Sequence, residues 1–328
     1  RDRVPALRRD LRFRLYQHTT HDQEGQHMNV ASMIKRRRRH TLTSNLLIYA
    51  GIIIVAILVL MPFIWVISLA LKGPEEAFAY PPNLLPHAPT LKNFGAIISS
   101  DVLPNAFLNS VIVAITSVIT NVALATLAGY AFARLRFPGS EIVFFVLIAS
   151  SMVPGAVTLV PLFLTAKNFP LMGGNDLLGQ GGTGLLDTVP GLLLPHVVQA
   201  LNIFLARQFF LDQPEALAES ARIDGASEFL IFLRVYLPLS LPMIATIGIF
   251  AFTGSWEDFL WPLVITTSPE NYTIQVALSA FAGIGGGGII DWGPLMAATV
   301  LATIPLLLAF IFFQRYFVAG LTSGSVKG

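Results

Sequence analysis

The chain has 328 residues, of which 54% are hydrophobic and 12% charged, with a mean hydropathy of +0.67 and a net charge of +2. A water-soluble domain carries about a quarter of its residues as charges, so this composition excludes a soluble globular fold, and the near-neutral balance argues against a nucleic-acid partner. With no cysteine at all, disulfide frameworks, zinc–thiolate sites and thiol nucleophiles are excluded together.

Residues 1–45 form a polar, basic arm ending in Lys35-Arg36-Arg37-Arg38-Arg39. The first methionine is Met28, so residues 1–27 read as an upstream extension or a species-specific arm, expected to be disordered. Beside a membrane span, the basic run reads as a cytoplasmic anchor against acidic membrane lipid before it reads as a nuclear or nucleic-acid signal. Residues 46–328 read as one all-α integral membrane domain. Six apolar segments are expected to span, at 46–71, 105–133, 141–166, 188–209, 239–265 and 292–317, since roughly 20 apolar residues of helix cross the hydrocarbon core. The first is too long for a signal-peptide core and lacks a small-residue cleavage site. With the N-terminus in the cytoplasm, 18 of the 21 Lys and Arg fall on the cytoplasmic side, and only Lys72, Lys92 and Lys167 fall outside. That asymmetry sets the orientation and supports an even number of spans, with both termini inside.

Within the spans, Met152-Val153-Pro154-Gly155, Pro161, Pro190 and Pro195 are expected to interrupt the third and fourth helices, because proline removes a backbone donor. Ala125, Gly129 and Ala133 make a small-residue stripe suited to close helix packing. Pro81-Pro82 and the glycine-rich stretches 173–184 and 283–288 fall outside, and neither glycine stretch leads into the Lys-Ser/Thr of a phosphate loop. They read either as flexible surfaces for a soluble partner or as plain linkers.

The long internal cytoplasmic segment, 208–238, reads as two short helices. Asp212-Gln213-Pro214-Glu215 has the form of a capping box, Gly225 supplies a left-handed stop, and Ser227 caps a second helix that Pro238 ends. Such a protrusion has an apolar side suited to a groove on a cytoplasmic partner. The alternative is a helix pair lying on lipid, but Glu215, Glu219, Asp224 and Glu228 would be repelled by an anionic leaflet.

This segment resembles the EAA loop of ABC importer permeases, in which Glu-Ala-Ala, three residues, Gly and nine residues lead to Ile-x-Leu-Pro. Here it reads Glu219-Ser220-Ala221, Gly225 and Val235-Tyr236-Leu237-Pro238, with Ser220 and Val235 as conservative departures. The stretches 127–134 (LAGYAFAR), 221–226 (ARIDGA), 256–259 (WEDF) and 314–322 (QRYFVAGLT) are similar to the maltose-type carbohydrate permeases, so the resemblance covers roughly 46–328. It implies an ABC importer permease fold with a cytoplasmic coupling helix, in the cytoplasmic (inner) membrane of a bacterium or archaeon. It implies a second homologous permease subunit, two copies of a cytoplasmic ATPase and an extracytoplasmic solute-binding protein as partners. Glu219, Ser220, Ala221, Asp224, Gly225, Ala226, Leu237 and Pro238 would then couple to the ATPase. The chain itself would catalyse nothing and hold no metal or cofactor, since ATP and Mg would be used by the partner ATPase. The implied solute is a sugar or oligosaccharide, with glycerol phosphate or another polyol as the alternative.

Glu257 and Asp258 fall in the fifth expected span, where charge is costly and marks a candidate site. Three readings stay open for them: sugar hydroxyl ligands, pairing with the second permease, or a proton site. The family more often has Asn at 257. His196, Gln199 and Asn202 share one face of the fourth span, Trp256 is placed to stack on a sugar ring, and Asn109, beside Ser110, stands at the head of the second. Each of these also has a plain packing reading, as an interhelical hydrogen bond or an interfacial aromatic. An ion-coupled secondary transporter relaying protons through Glu257 and Asp258 would not need the loop, and the chain shows no internal repeat of the kind such folds carry. A membrane enzyme fits less well, because neither an H-E-x-x-H cluster nor a nucleophile–base pair is present.

Overall fold

The computed structural model describes residues 45, 48–283 and 290–323, with the side chains of the last helix described as far as Gln314. The basic arm, most of the glycine run 283–288 and all but the first side chain of the 314–322 motif lie outside the described residues. The chain divides into two compact units at Trp65 and Val66. The described part of the first is the opening stretch of α1 (Ile48–Ala70), whose side chains are exposed from Ile48 through Phe63. A helix apolar on every side takes lipid as its solvent.

The second unit is helical throughout, with no strand among its described residues. The short α2 (Pro74–Ala77) and α3 (Lys92–Ile98) lead into α4 (Val102–Arg134), followed by α5 (Ser140–Ser151) and α6 (Gly155–Lys167). Next come α7 (Val189–Leu193), which tightens into a 3-10 turn through His196, then α8 (Ala200–Leu211), α9 (Ala216–Ile223) and α10 (Glu228–Ile231). A π turn over Phe232–Tyr236 joins α10 to α11 (Leu237–Leu239), and α12 (Leu241–Trp256), α13 (Leu260–Ile265), α14 (Ile274–Phe281) and α15 (Trp292–Ser323) complete the unit.

The central element is α4. Its 33 residues make a rod about 50 Å long. Pro104 sits harmlessly in its first turn, and the helix stops where Leu135 turns extended ahead of Arg136-Phe137-Pro138-Gly139. Three apolar clusters form along it. Leu103 and Ala114 pack with Trp256, Ile274 and Ala298; Val113 joins Ala166, Leu192 and Trp261; Ala125 and Tyr130 join Ile203, Phe210, Ile231 and Tyr236. The small-residue stripe is a helix contact, as expected. A Cβ on Gly129 would lie 2.4 Å from the Ala206 Cβ and 2.8 Å from the Arg207 amide nitrogen, so α4 and α8 touch backbone to backbone there.

Only α1, α4 and α15 are uninterrupted helices of spanning length and apolarity among the described residues. Three bent pairs supply the remaining candidates: α5 with α6 (105°), α7 and its 3-10 turn with α8 (45°), and the α10–α11 run with α12 (82°). The break before Gly155 falls at the expected proline. The fifth expected span departs from its prediction, because α12 stops at Trp256 after 16 residues, about 24 Å, and Glu257–Phe259 form a second break before α13. At its other end, Pro238 and Pro242 lie one turn apart. Neither can donate to a helical ladder, and the chain answers with a π turn, in which the Leu237 N–H reaches the Phe232 carbonyl, and a sharp bend at Ser240.

The glycine-rich stretch 173–184 is folded closely on itself. Asn175 gathers it, donating to the carbonyls of Lys167 (2.8 Å) and Phe169 (3.0 Å) and accepting from the Gly182 N–H (2.7 Å). A Cβ on Gly182 would meet the Gly173 carbonyl oxygen at 2.2 Å, so the backbone packs on itself where only glycine fits. Asp187, at φ +54°, then pins the segment 267–271. It accepts from the amides of Thr267 (3.0 Å) and Ser268 (3.1 Å) and from the Ser268 hydroxyl (2.5 Å), while Asn271 donates to its carbonyl (2.8 Å). Burial alone would push the Asp187 carboxyl up, but these donors outweigh it and hold it down to about 2, against an ordinary 3.8. A depressed folded-state pKa contributes stability above the unfolded value that is lost as pH falls through the folded one. Asp187→Asn is therefore expected to destabilise the detergent-extracted protein by about 1–3 kcal/mol at pH 7. The difference should shrink between about pH 4 and pH 2. A gap between the two proteins that stayed constant over that window in thermal melts would refute the assignment.

Candidate functional site

Two polar features stand out from the apolar body: the loop between α8 and α12, and the joint between α7 and α8. In the loop, α8 runs on to Leu211, so Asp212 becomes its C-cap, with its N–H on the Gln208 carbonyl at 3.2 Å. The expected capping box does not form, and α9 begins at Ala216 with Glu215 ahead of it making no side-chain cap. Arg134 accounts for the overrun: its guanidinium donates to the carbonyls of Phe210 (2.6 Å) and Gln213, holding the last turn of α8 closed. The far end of α9 follows expectation. The Gly225 N–H bonds the Arg222 carbonyl and the Ala226 N–H the Ala221 carbonyl, both at 3.0 Å, with Gly225 at φ +81°. This is a Schellman turn, and it needs the left-handed residue. Ser227 caps α10 through the Leu230 N–H at 3.4 Å. Pro238 does not stop the second helix, which continues through the π turn to Leu239.

Of the loop residues singled out, Glu219, Ser220, Asp224, Gly225 and Pro238 are exposed, and Ala221, Ala226 and Leu237 pack against the apolar cluster beneath. Ile223 is 86% exposed beside them, an apolar knob among acidic neighbours. Beneath α9, Arg222 grips Glu228 with two donors (2.6 and 3.3 Å), and the Tyr130 hydroxyl donates to the same carboxylate at 2.9 Å. The Arg222 guanidinium, first among these influences, holds the Glu228 carboxyl below the usual carboxylate range.

The joint between α7 and α8 is closed by a residue that sequence reasoning passed over. Asn121 on α4 donates to the His196 carbonyl at 2.7 Å and the Ser117 carbonyl at 2.9 Å, and accepts from the Gln199 N–H and the Asn202 side chain, both at 2.9 Å. Ser117 donates to the same His196 carbonyl at 3.1 Å. Both side chains are fully buried, so α4 supplies the hydrogen bonds that the broken helix gives up. The signal was present: Ser110, Ser117 and Asn121 stand seven and four residues apart on one face of an apolar helix. His196 Nε2 lies 3.0 Å from Asp258 Oδ2, which ties this joint to the break after α12.

The structure thus brings His196, Gln199, Asn202 and Asp258 together and leaves the other intramembrane candidates apart. Trp256 is 1% exposed, stacked on Phe252 (5.6 Å, 10°), edge-on to Phe107 and bonded to the Ala302 carbonyl at 3.1 Å. It is enclosed core, so the expected sugar-stacking face is not on offer. Asn109 donates to the carbonyls of Glu270 (2.7 Å) and Tyr272 (3.1 Å) and anchors that segment. Glu257 is exposed at the end of α12 and joins none of these contacts. Among the described residues, no three His, Asp or Glu side chains converge as metal ligands.

Residues 121–323 match the family of binding-protein-dependent transport system inner membrane components. The chain belongs to this family. Its relatives include the diacetylchitobiose uptake system permease NgcG of Streptomyces coelicolor, 31% identical over 85% of this chain and 88% of that protein. Another is the trehalose/maltose transport system permease MalG of Thermococcus litoralis, 31% identical over 88% and 99%. Among solved structures, a bacterial ABC transporter that imports the acidic polysaccharide alginate superposes with a TM-score of 0.71 at 24% identity, covering 83% of this permease and 95% of that chain. The likeness establishes the ABC importer permease fold. The family's match takes in the loop, the α7–α8 joint and Asn121, and begins at Asn121 itself.

Proposed function

We propose that this permease is one of two homologous membrane subunits of an ATP-driven, binding-protein-dependent importer for a sugar or oligosaccharide. The observation that carries this reading is the α9–Gly225–α10 protrusion, which displays Glu219, Ser220, Ile223 and Asp224 at the spacing of an ATPase-coupling loop. The solute class is supported by the diacetylchitobiose and trehalose/maltose systems of its relatives. In this reading the chain crosses the bacterial or archaeal cytoplasmic membrane six times, with α5–α6, α7–α8 and the segment from α12 onward as spans beside α1, α4 and α15, and with both termini inside. The 18-to-3 partition of Lys and Arg supports that topology. Two copies of a cytoplasmic ATPase bind ATP and Mg and drive the loop, and a solute-binding protein delivers the sugar outside. This chain forms half of the pathway, with the His196–Asp258 joint beside it, and no reacting group of its own.

The test is ATP-driven uptake by the assembled complex in proteoliposomes. Gly225→Pro, which cannot adopt φ +81°, and Glu219→Lys, which reverses the charge of the docking face, should each lower uptake about tenfold or more. Uptake unchanged in both variants would show that the loop does not couple to an ATPase. Sensitivity to an uncoupler but not to vanadate would point to an ion-driven carrier instead.

A further inference from the structure

The coupling helix is a short lever held by few contacts. Of the eight residues of α9, only Ala218 is buried, and the helix is bounded by turns at 212–215 and at Gly225. A lever that pivoted at these turns would dissipate whatever displacement a docked partner imposed on it. Glu228 stands across the second turn. Its carboxylate accepts from Arg222 Nε at 2.6 Å and Arg222 Nη2 at 3.3 Å on α9, and from the Tyr130 hydroxyl at 2.9 Å on the last turns of α4. Bidentate guanidinium–carboxylate pairing fixes orientation as well as distance. Tyr130 is 4% exposed, and its ring centroid lies 5.7, 5.2 and 5.5 Å from those of Phe210, Phe232 and Tyr236. The phenol therefore cannot swing to follow a moving carboxylate. One end of this chain of bonds is rooted in the core and the other sits on the exposed lever.

We propose that Glu228 is a positioning residue, a strut that makes α9, α10 and the end of α4 move as one body when a partner ATPase displaces the loop. The inference rests on the reading of this chain as an ATP-driven permease. The strut is not needed for folding: half-exposed ion pairs add little to stability, and the aromatic cluster beneath packs through ring contacts that a lost hydroxyl leaves in place. Removing it should therefore spare assembly and change how much transport each ATP yields.

The experiment uses the whole complex, this chain with its partner permease, ATPase and binding protein, in proteoliposomes where ATP hydrolysis and solute uptake are read together. The variants are Tyr130→Phe, which keeps the ring, Glu228→Gln, which keeps the size, and the pair combined. Each single variant should assemble and hydrolyse ATP as the parent does, with uptake per ATP lowered about three- to tenfold, the range of a coupling contact. The double variant should be no worse than the worse single one, because both substitutions cut the same strut. Parental uptake per ATP in both single variants, or effects that multiply in the double, would overturn the inference. Failed assembly of Tyr130→Phe would also overturn it, by making the hydroxyl a folding contact. A parent complex that transports without ATP would overturn the permease reading itself, a result distinct from all of these.

Discussion

Asn121→Leu should leave the α7–α8 joint unable to hold. The substitution removes at once the donor to the carbonyls of His196 and Ser117 and the acceptor for the Gln199 N–H and the Asn202 side chain. Each buried group left unpaired costs about 1–3 kcal/mol. The surrounding helices exclude water, and lipid has no hydrogen bonds to offer in its place. A loss of about 3–6 kcal/mol is expected, a large share of the roughly 5–15 kcal/mol that holds a folded protein together. Fluorescence-detected gel filtration of the detergent-extracted protein after heating reads this directly. A melting midpoint within a few degrees of the parent would mean that the joint satisfies itself by another route.

The second large effect is expected at Gly129. Carbon atoms in contact prefer separations of about 3.5–4.0 Å, but a Cβ here would stand 2.4 Å from the Ala206 Cβ, with the Arg207 nitrogen at 2.8 Å and the Ala206 carbonyl carbon at 2.9 Å behind it. Gly129→Ala should cost about 1–3 kcal/mol, the ordinary range for overpacking, and Gly129→Leu should prevent the protein from accumulating in the membrane. Adding Ala206→Gly to Gly129→Ala removes the worst overlap and leaves the two backbone contacts, so the rescue should be partial. Full recovery in the double variant would show that the backbones can separate without loss, against the close crossing described above.

The loop was the most legible part of the chain, because the Schellman turn at Gly225 and the cap at Ser227 are local chemistry carried by single residue types. The second expected span was read closely too, since α4 is apolar throughout and the Pro138-Gly139 pair marks where it must have ended. Elsewhere the outcome depends on partners distant in sequence. Asp212-Gln213-Pro214-Glu215 looks the same whether α8 stops before it or runs into it, and Arg134, reaching across from α4, decides the matter. The break at Glu257–Phe259 carries no proline or glycine. It is supported by His196 and by the Trp261 amide, which Asp258 accepts at 3.4 Å. Trp256 shows the limit of reading aromatics by type, because composition does not distinguish an enclosed ring from one that lines a path. The folded glycine stretch was missed for a related reason: glycine signals both freedom and close packing.

The long reach of Asn121 has a consequence for how the protein is made. Its partner His196 follows 75 residues later in the chain. At synthesis rates of about 5–20 residues per second, α4 emerges roughly 4–15 s before the carbonyl that its amide will bind. Throughout that interval the Asn121 amide has only the Ser117 carbonyl and hydroxyl of its own helix to bond, and its oxygen waits for the Gln199 N–H and the Asn202 side chain. The newborn α4 is therefore a scaffold in place before its load arrives, and the rate at which ribosomes read residues 122–196 sets how long it stands incomplete.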